Sequence, residues 1–120
     1  KMLDLINAER SNLGIAPLST EAKVMEVAQI KAEDMVKNNY FSHTSPTYGS
    51  PFDMLSNFGV TFHGAAENIA LNSSVENAHG ALMASEGHRT NLLNAGYGYM
   101  GLGIADSPKG TVFVQMFVKK

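Results

Sequence analysis

The sequence predicts an α+β domain in which helices pack on a small antiparallel sheet. Helical patterns fill most of the chain, and two strand-like runs joined by a turn close it. In the last run Val112, Val114, Met116 and Val118 alternate with Phe113, Gln115 and Phe117. Both faces of that run are largely apolar, so helices are expected over both sides of the sheet.

Leu3, Leu5, Ile6 and Leu13, with Asn7, Glu9 and Arg10 between them, read as an opening helix ended by Gly14. Ala16-Pro17-Leu18 is a connector. Ser19 or Thr20 then caps a long helix, with Glu21 in the first turn, where the helix dipole favours an anion. Val24, Val27, Ala28, Met35 and Val36 form its apolar face, and Asn38-Asn39 stops it. Residues 40–50 read as a loop. Ser50, Pro51 and Asp53 then start a helix that Gly59 ends. Val60–Phe62 is expected as a short strand and His63-Gly64-Ala65-Ala66 as a turn or loop. Ser73-Ser74-Val75-Glu76 reads as a capping box opening a helix to about Ala84. Gly87 is expected to break it, His88–Leu93 to form a helical turn, and Asn94-Ala95-Gly96 to leave that turn. The closing strands are Tyr99–Ala105 and Thr111–Val118, joined by Asp106-Ser107-Pro108-Lys109-Gly110.

Composition bounds the function. The 120 residues are read as one domain, 1–120, large enough to bury a core. The apolar fraction of 44% and charged fraction of 17% are those of a globular protein. A net charge of -2 with no basic patch argues against nucleic acid as a partner. No apolar run reaches the roughly 20 residues of a membrane-spanning helix. With no cysteine, disulfides and thiol catalysis are excluded. The chain is read as a monomer, excised from a longer protein because it opens on Lys1.

Chemistry concentrates in three blocks: Ser42-His43-Thr44-Ser45-Pro46, Ala66-Glu67-Asn68-Ile69-Ala70 and Ser85-Glu86-Gly87-His88-Arg89. Imidazoles and carboxylates converging from such segments make a metal site or an acid/base pair. Each residue also has a plainer reading. His43 is either a rigidly held site residue or a surface loop histidine. Glu67, in an otherwise small and apolar segment, is either functional or tied to backbone amides. Glu86 and His88 converge only if Gly87 turns out of helical geometry. Otherwise His88 serves the C-terminal end of the preceding helix, and Arg89 pairs with a carboxylate. Ser42, Asn68, Arg89 and Tyr97 are the candidate ligand contacts, with Tyr99 and Phe62 as further surface candidates. His63 sits in a turn with no acidic neighbour, and His79 lies inside the capped helix between Ala78 and Gly80, where it packs or faces solvent. No Gly-x-Ser-x-Gly elbow, His-Glu-x-x-His helix or phosphate loop occurs.

Taken together these blocks resemble the CAP superfamily of cysteine-rich secretory, antigen 5 and pathogenesis-related proteins, and its bacterial SCP-like branch above all. Leu5-Ile6-Asn7-x-x-Arg10 with Pro17-Leu18, Tyr40-Phe41-Ser42-His43-x-Ser45-Pro46, Ala66-Glu67-Asn68-Ile69-Ala70 and Ser85-x-Gly87-His88-Arg89-x-Asn91-Leu92-Leu93 carry the resemblance. Gly101-x-Gly103 and Val114-Gln115-x-Phe117 look like the closing strands. The resemblance implies an α-β-α sandwich with a His/Glu cleft. It implies His43 and His88 as ligands of a divalent metal, often zinc, and Glu67 as the first glutamate. It also implies an extracellular or cell-envelope location. The chain departs from the pattern at Ala66, where glycine is usual, at Leu82, where an aromatic is common, and at Glu86, where proline is common.

Three functions are open at this level. One is a metal-binding module that recognises a ligand without turnover. The second is a metal-dependent hydrolase of peptidase type, with Glu67 or Glu86 as general base. The third is an envelope module that binds a small molecule, a lipid or a cell-wall glycan.

Overall fold

Helices cover both faces of a three-stranded antiparallel sheet. The computed structural model describes residues 1–120. Helices α1 (Met2–Asn12), α2 (Ala22–Lys37) and α3 (Pro51–Asn57) precede strand β1 (Gly64–Asn72); α4 (Val75–Ala84) and α5 (Glu86–Leu92) follow it, and β2 (Tyr99–Ser107) and β3 (Gly110–Lys119) form the closing hairpin. Strand order is β1-β3-β2, so the last strand in sequence is the central one. That position explains its unbroken burial from Val112 to Val118. Val112, Val114, Met116 and Val118 face one core with α2 and α3. Phe113 and Phe117 face a second core with α1, α4 and α5. The α+β sandwich expected from the closing strands is the fold observed. No helix is long and apolar enough to cross a membrane.

The second helix lies directly on β2. Ala28 carbonyl oxygen would sit 2.0 Å from a Cβ at Gly103, and Val24 carbonyl oxygen 2.3 Å from one at Gly101. Only glycine permits that approach. The same helix caps the free edge of β2. The Gln29 amide donates to Ile104 carbonyl at 2.8 Å and accepts from Ile104 N–H at 2.9 Å, as a neighbouring strand would. Its start differs from expectation. Glu21 is the N-cap, without a side-chain cap bond, because Ser19 pairs its backbone with the start of β2.

Other boundaries also move. Residues Val60–Phe62 are not a strand, and the segment from Gly64 onward, expected as a turn, is β1. Ser74, rather than Ser73, caps α4 by accepting from Asn77 N–H at 3.1 Å, while Glu76 pairs with Lys1. The break between α4 and α5 falls at Ser85, extended at φ -96 and ψ 120, and Gly87 is helical. The buried stripe of α1 is Met2, Ile6 and Arg10, and Leu13 is exposed. The box at Ser50 and Asp53 forms as expected.

Arg10 joins the opening helix to the chain beyond α5. Its guanidinium donates to the carbonyls of Ala16 (2.8 Å), Leu92 (2.9 Å), Asn94 (3.1 Å) and Tyr97 (3.2 Å).

Candidate functional site

The site is built on the end of α2, the loop that follows and the edge strand β1. Asn39, at φ 55, turns the chain out of α2. Asp34, one turn back, anchors the loop. Its carboxylate accepts from Tyr40 hydroxyl, from Ser45 hydroxyl at 2.6 Å and from Asn38 amide. Ser45 Oγ in turn accepts from the N–H groups of Thr47 and Tyr48. This network fixes a loop that has little regular hydrogen bonding of its own.

His43 lies within this loop, its side chain 54% exposed, directly over Glu67, whose side chain is 1% exposed. Nδ1 of His43 is 2.8 Å from Oε1 of Glu67. An ionised carboxylate only accepts, so this contact is made by a proton on Nδ1 and leaves Nε2 as the nitrogen not engaged by Glu67. Beneath them lies Lys31, fully buried. Its ammonium donates to His43 carbonyl at 2.7 Å and is 3.9 Å from Glu67 Oε1. Tyr40 presents its ring to the same ammonium at 5.6 Å. Oε2 of Glu67 is buried and has no hydrogen-bond partner.

Glu67 and Asn68 are consecutive on β1 and therefore face opposite sides of the sheet. Asn68, on the far side, is also buried. Its amide donates to His88 carbonyl and to Gln115 Oε1, both at 3.1 Å, and its oxygen accepts from Asn91 at 2.9 Å. The edge strand thus grips the His43 loop with one residue and the His88 helix with the next. Nδ1 of His88 is 2.8 Å from Ser85 Oγ.

The remaining expected residues are placed as follows. Glu86 is exposed in the first turn of α5. With Gly87 helical, Glu86 and His88 diverge by about 200° and the convergence expected at that glycine does not form. Arg89 donates to Met83 carbonyl at 2.9 Å, closing the α4–α5 junction. Tyr97 packs on Phe117 with ring centroids 5.9 Å apart. Ser42 is exposed and accepts from Thr44 N–H. His63 is exposed, and His79 has a buried, unpartnered Nδ1. No three His, Asp or Glu side chains converge on a common point. A cavity of about 290 Å³ lies elsewhere, between the end of α2 and the β2–β3 turn. Met35, Tyr40, Phe41, Leu71, Lys109 and Val112 are among its lining residues.

Burial moves Lys31 and Glu67 toward their neutral forms. It lowers the Lys31 pKa against the attraction of Glu67 and Asp34. It raises that of Glu67 against the charge of Lys31 and the hydrogen bond from His43. Tyr40, desolvated and bonded to Asp34, is pushed up to about 12. Burial would raise Asp34 as well, but the bonds from Ser45, Tyr40 and Asn38 and the charge of Lys31 outweigh it and hold Asp34 low.

These directions fix the acid response. The depressed Asp34 stabilises the fold above its unfolded range, and that contribution is lost as pH falls through the folded value. The raised Glu67 costs stability when ionised, and acid relieves that cost as pH falls through its folded value. Thermal melts on acidification are therefore expected to show a flat or rising phase before the fall. Glu67→Gln should remove the first phase and Asp34→Asn should soften the second. A monotonic fall identical in all three proteins would contradict the assignment.

The comparisons with known proteins come to the same architecture. The family model described as "CAP: Cysteine-rich secretory protein family" matches residues 3–117. This chain belongs to the CAP family. Within it, the chain is 43% identical over 121 residues to the Bacillus subtilis (strain 168) protein "Uncharacterized protein YkwD". It is 40% identical over 125 residues to the same organism's "Uncharacterized membrane protein YlbC". All of this chain is covered in both matches, but it spans only 46% and 34% of those relatives. A crystal structure of an extracellular, SCP-domain protein from Bacillus anthracis superposes with a TM-score of 0.90 at 39% identity, covering 99% of this chain and 39% of that one.

Proposed function

We propose that this chain is a bacterial CAP domain, extracellular or exposed at the cell envelope, that holds a divalent cation at His43 and His88 and offers it to a ligand without turnover. The observation that carries this reading is the buried carboxylate of Glu67 beneath the half-exposed ring of His43, 2.8 Å from Nδ1. A carboxylate so placed orients an imidazole and raises its basicity, leaving Nε2 outward as a metal donor. At His88 the partner of Nδ1 is the Ser85 hydroxyl at 2.8 Å rather than a carboxylate. Charge favours a cation too. Two carboxylates, Asp34 and Glu67, face one ammonium, Lys31, in the cluster under His43.

The donors suit zinc, which takes neutral imidazole readily. Two imidazoles would make an open site rather than a closed structural one, since no group of three His, Asp or Glu side chains is present to complete it. Water or a ligand donor would fill the other positions. A bound metal would supply Lewis acidity and exchangeable coordination positions. The hydrolase reading is the weaker one, since Glu67 is turned inward against His43 and Lys31 rather than toward open solvent. An extracellular setting accords with the SCP-domain protein of Bacillus anthracis.

Zinc calorimetry tests this reading. Binding is expected at pH 7.5, weakened at pH 6.0 as protons compete for imidazole, and abolished in His43→Ala/His88→Ala. Binding unchanged in that double variant would overturn it.

A second reading, the small-molecule or lipid module, is favoured by the apolar cavity, at whose wall Phe41 and Leu71 stand 49% and 40% exposed. It predicts binding of a fluorescent fatty acid that survives His43→Ala/His88→Ala and is lost in Leu71→Lys. Loss of binding in the histidine variant, or no binding at all, would remove it.

A further inference from the structure

We infer that Lys31 is the positioning residue of this site: one buried ammonium grips the main chain of His43 and the carboxylate of Glu67, and so sets the ring of one against the oxygen of the other. The bond to His43 carbonyl, 2.7 Å, is the one hydrogen bond that the main chain of His43 makes to the rest of the fold. The oxygen of Glu67 that Lys31 faces at 3.9 Å is the same Oε1 that lies 2.8 Å from His43 Nδ1. Lys31 therefore engages both halves of the pair, one by a hydrogen bond and the other by charge.

Its origin matters as much as its contacts. Lys31 belongs to α2, the helix laid directly on β2, whereas His43 belongs to a loop. The ammonium ties the position of the loop to that of the helix. An ammonium is fully buried at a cost unless its protons are used. Here one is donated to the carbonyl of His43, while the carboxylate of Glu67 at 3.9 Å and the face of Tyr40 at 5.6 Å supply charge rather than hydrogen bonds. An apolar side chain of the same length would fill the space but could hold neither His43 carbonyl nor Glu67. Asp34, bonded to the loop at Tyr40 and Ser45, supplies the second countercharge.

The inference about ring geometry stands on distances alone; its consequence for metal affinity rests on the reading proposed above. The test uses the metal-free chain labelled with ¹⁵N and ¹³C, followed by zinc titration. In the wild type, the His43 ring is expected in the Nδ1–H tautomer. A through-hydrogen-bond coupling is expected between Lys31 Nζ and the carbonyl carbon of His43. Lys31→Met should keep far-ultraviolet dichroism, shift the His43 ring toward a tautomer mixture and weaken zinc binding by about 10- to 100-fold, the range for lost outer contacts to a ligand histidine. Lys31→Arg, which restores a cation, should recover the ring signature.

A folded Lys31→Met protein with the wild-type ring signature and affinity would overturn the inference. If Lys31→Met does not fold, the wild-type coupling decides, and its absence would overturn it equally. Should wild-type protein bind no zinc, the metal reading fails while the ring signatures still decide the role of Lys31.

Discussion

Alanine at Gly103 is expected to destabilise the fold severely. The added methyl would lie 2.0 Å from the carbonyl oxygen and 2.4 Å from the carbonyl carbon of Ala28. Both are backbone atoms of α2, so no side-chain rotation relieves the clash. The helix cannot lift locally, because Val24, Val27, Ala28 and Ala32 are all core residues on that face. Overpacking costs about 1–3 kcal/mol where side chains can shift. Here it should exceed about 3 kcal/mol, a large share of the roughly 5–15 kcal/mol that holds a domain. Gly80 is the internal control. Nothing lies within 4 Å of a Cβ built there, in the middle of α4. Gly80→Ala should stabilise by about 0.5–1 kcal/mol through helix propensity. Urea unfolding midpoints of the two variants should therefore move in opposite directions. A Gly103→Ala midpoint equal to wild type would refute the close approach of α2 to β2.

Arg10→Ala is the second large effect. The side chain is 1% exposed and donates to four carbonyls. Three of these belong to Leu92, Asn94 and Tyr97, the segment joining α5 to β2. Each buried acceptor left unpartnered costs about 1–3 kcal/mol, so a loss of about 3–5 kcal/mol is expected even if water reaches some of them. Lysine at this position should recover little, since one ammonium cannot match a planar fork spread over four acceptors. The variant should also loosen α5 and with it His88. Faster amide exchange at Leu92–Tyr97 than at β3 would register that loosening, and uniform exchange across the chain would count against it.

Much of this architecture is legible in the sequence, because the features that announce themselves are local. The alternating apolar faces of Val112–Val118 foretell helices on both sides. The Ser50–Asp53 box and the turn at Pro108-Lys109 are set by neighbours a few residues apart. Strand β1 is hidden for a physical reason: both its faces are covered, and its residues are small ones interrupted by Glu67 and Asn68. It shows neither polar–apolar alternation nor a β-branched run. The start of α2 is missed because Ser19 is claimed by β2, a contact distant in sequence.

The pairing of His43 with Glu67 follows the resemblance of their motifs, but the charges beneath are legible in another way. Lys31 and Asp34 fall on the same stripe as Val24, Val27, Ala28 and Met35, at helical spacing. A lysine and an aspartate on the buried face of an amphipathic helix signal a polar cluster in the core. Glu86 misleads because its usefulness depended on a break at Gly87, and the chain breaks instead at Ser85, two residues earlier.

Zinc-edge anomalous diffraction from crystals grown with zinc tests the central claim most directly. The account predicts a single strong peak at about 2.0–2.1 Å from Nε2 of both His43 and His88, with Glu67 still on His43 Nδ1. A peak seated on His63 or His79 alone, or none at these two rings despite saturating zinc, would contradict it.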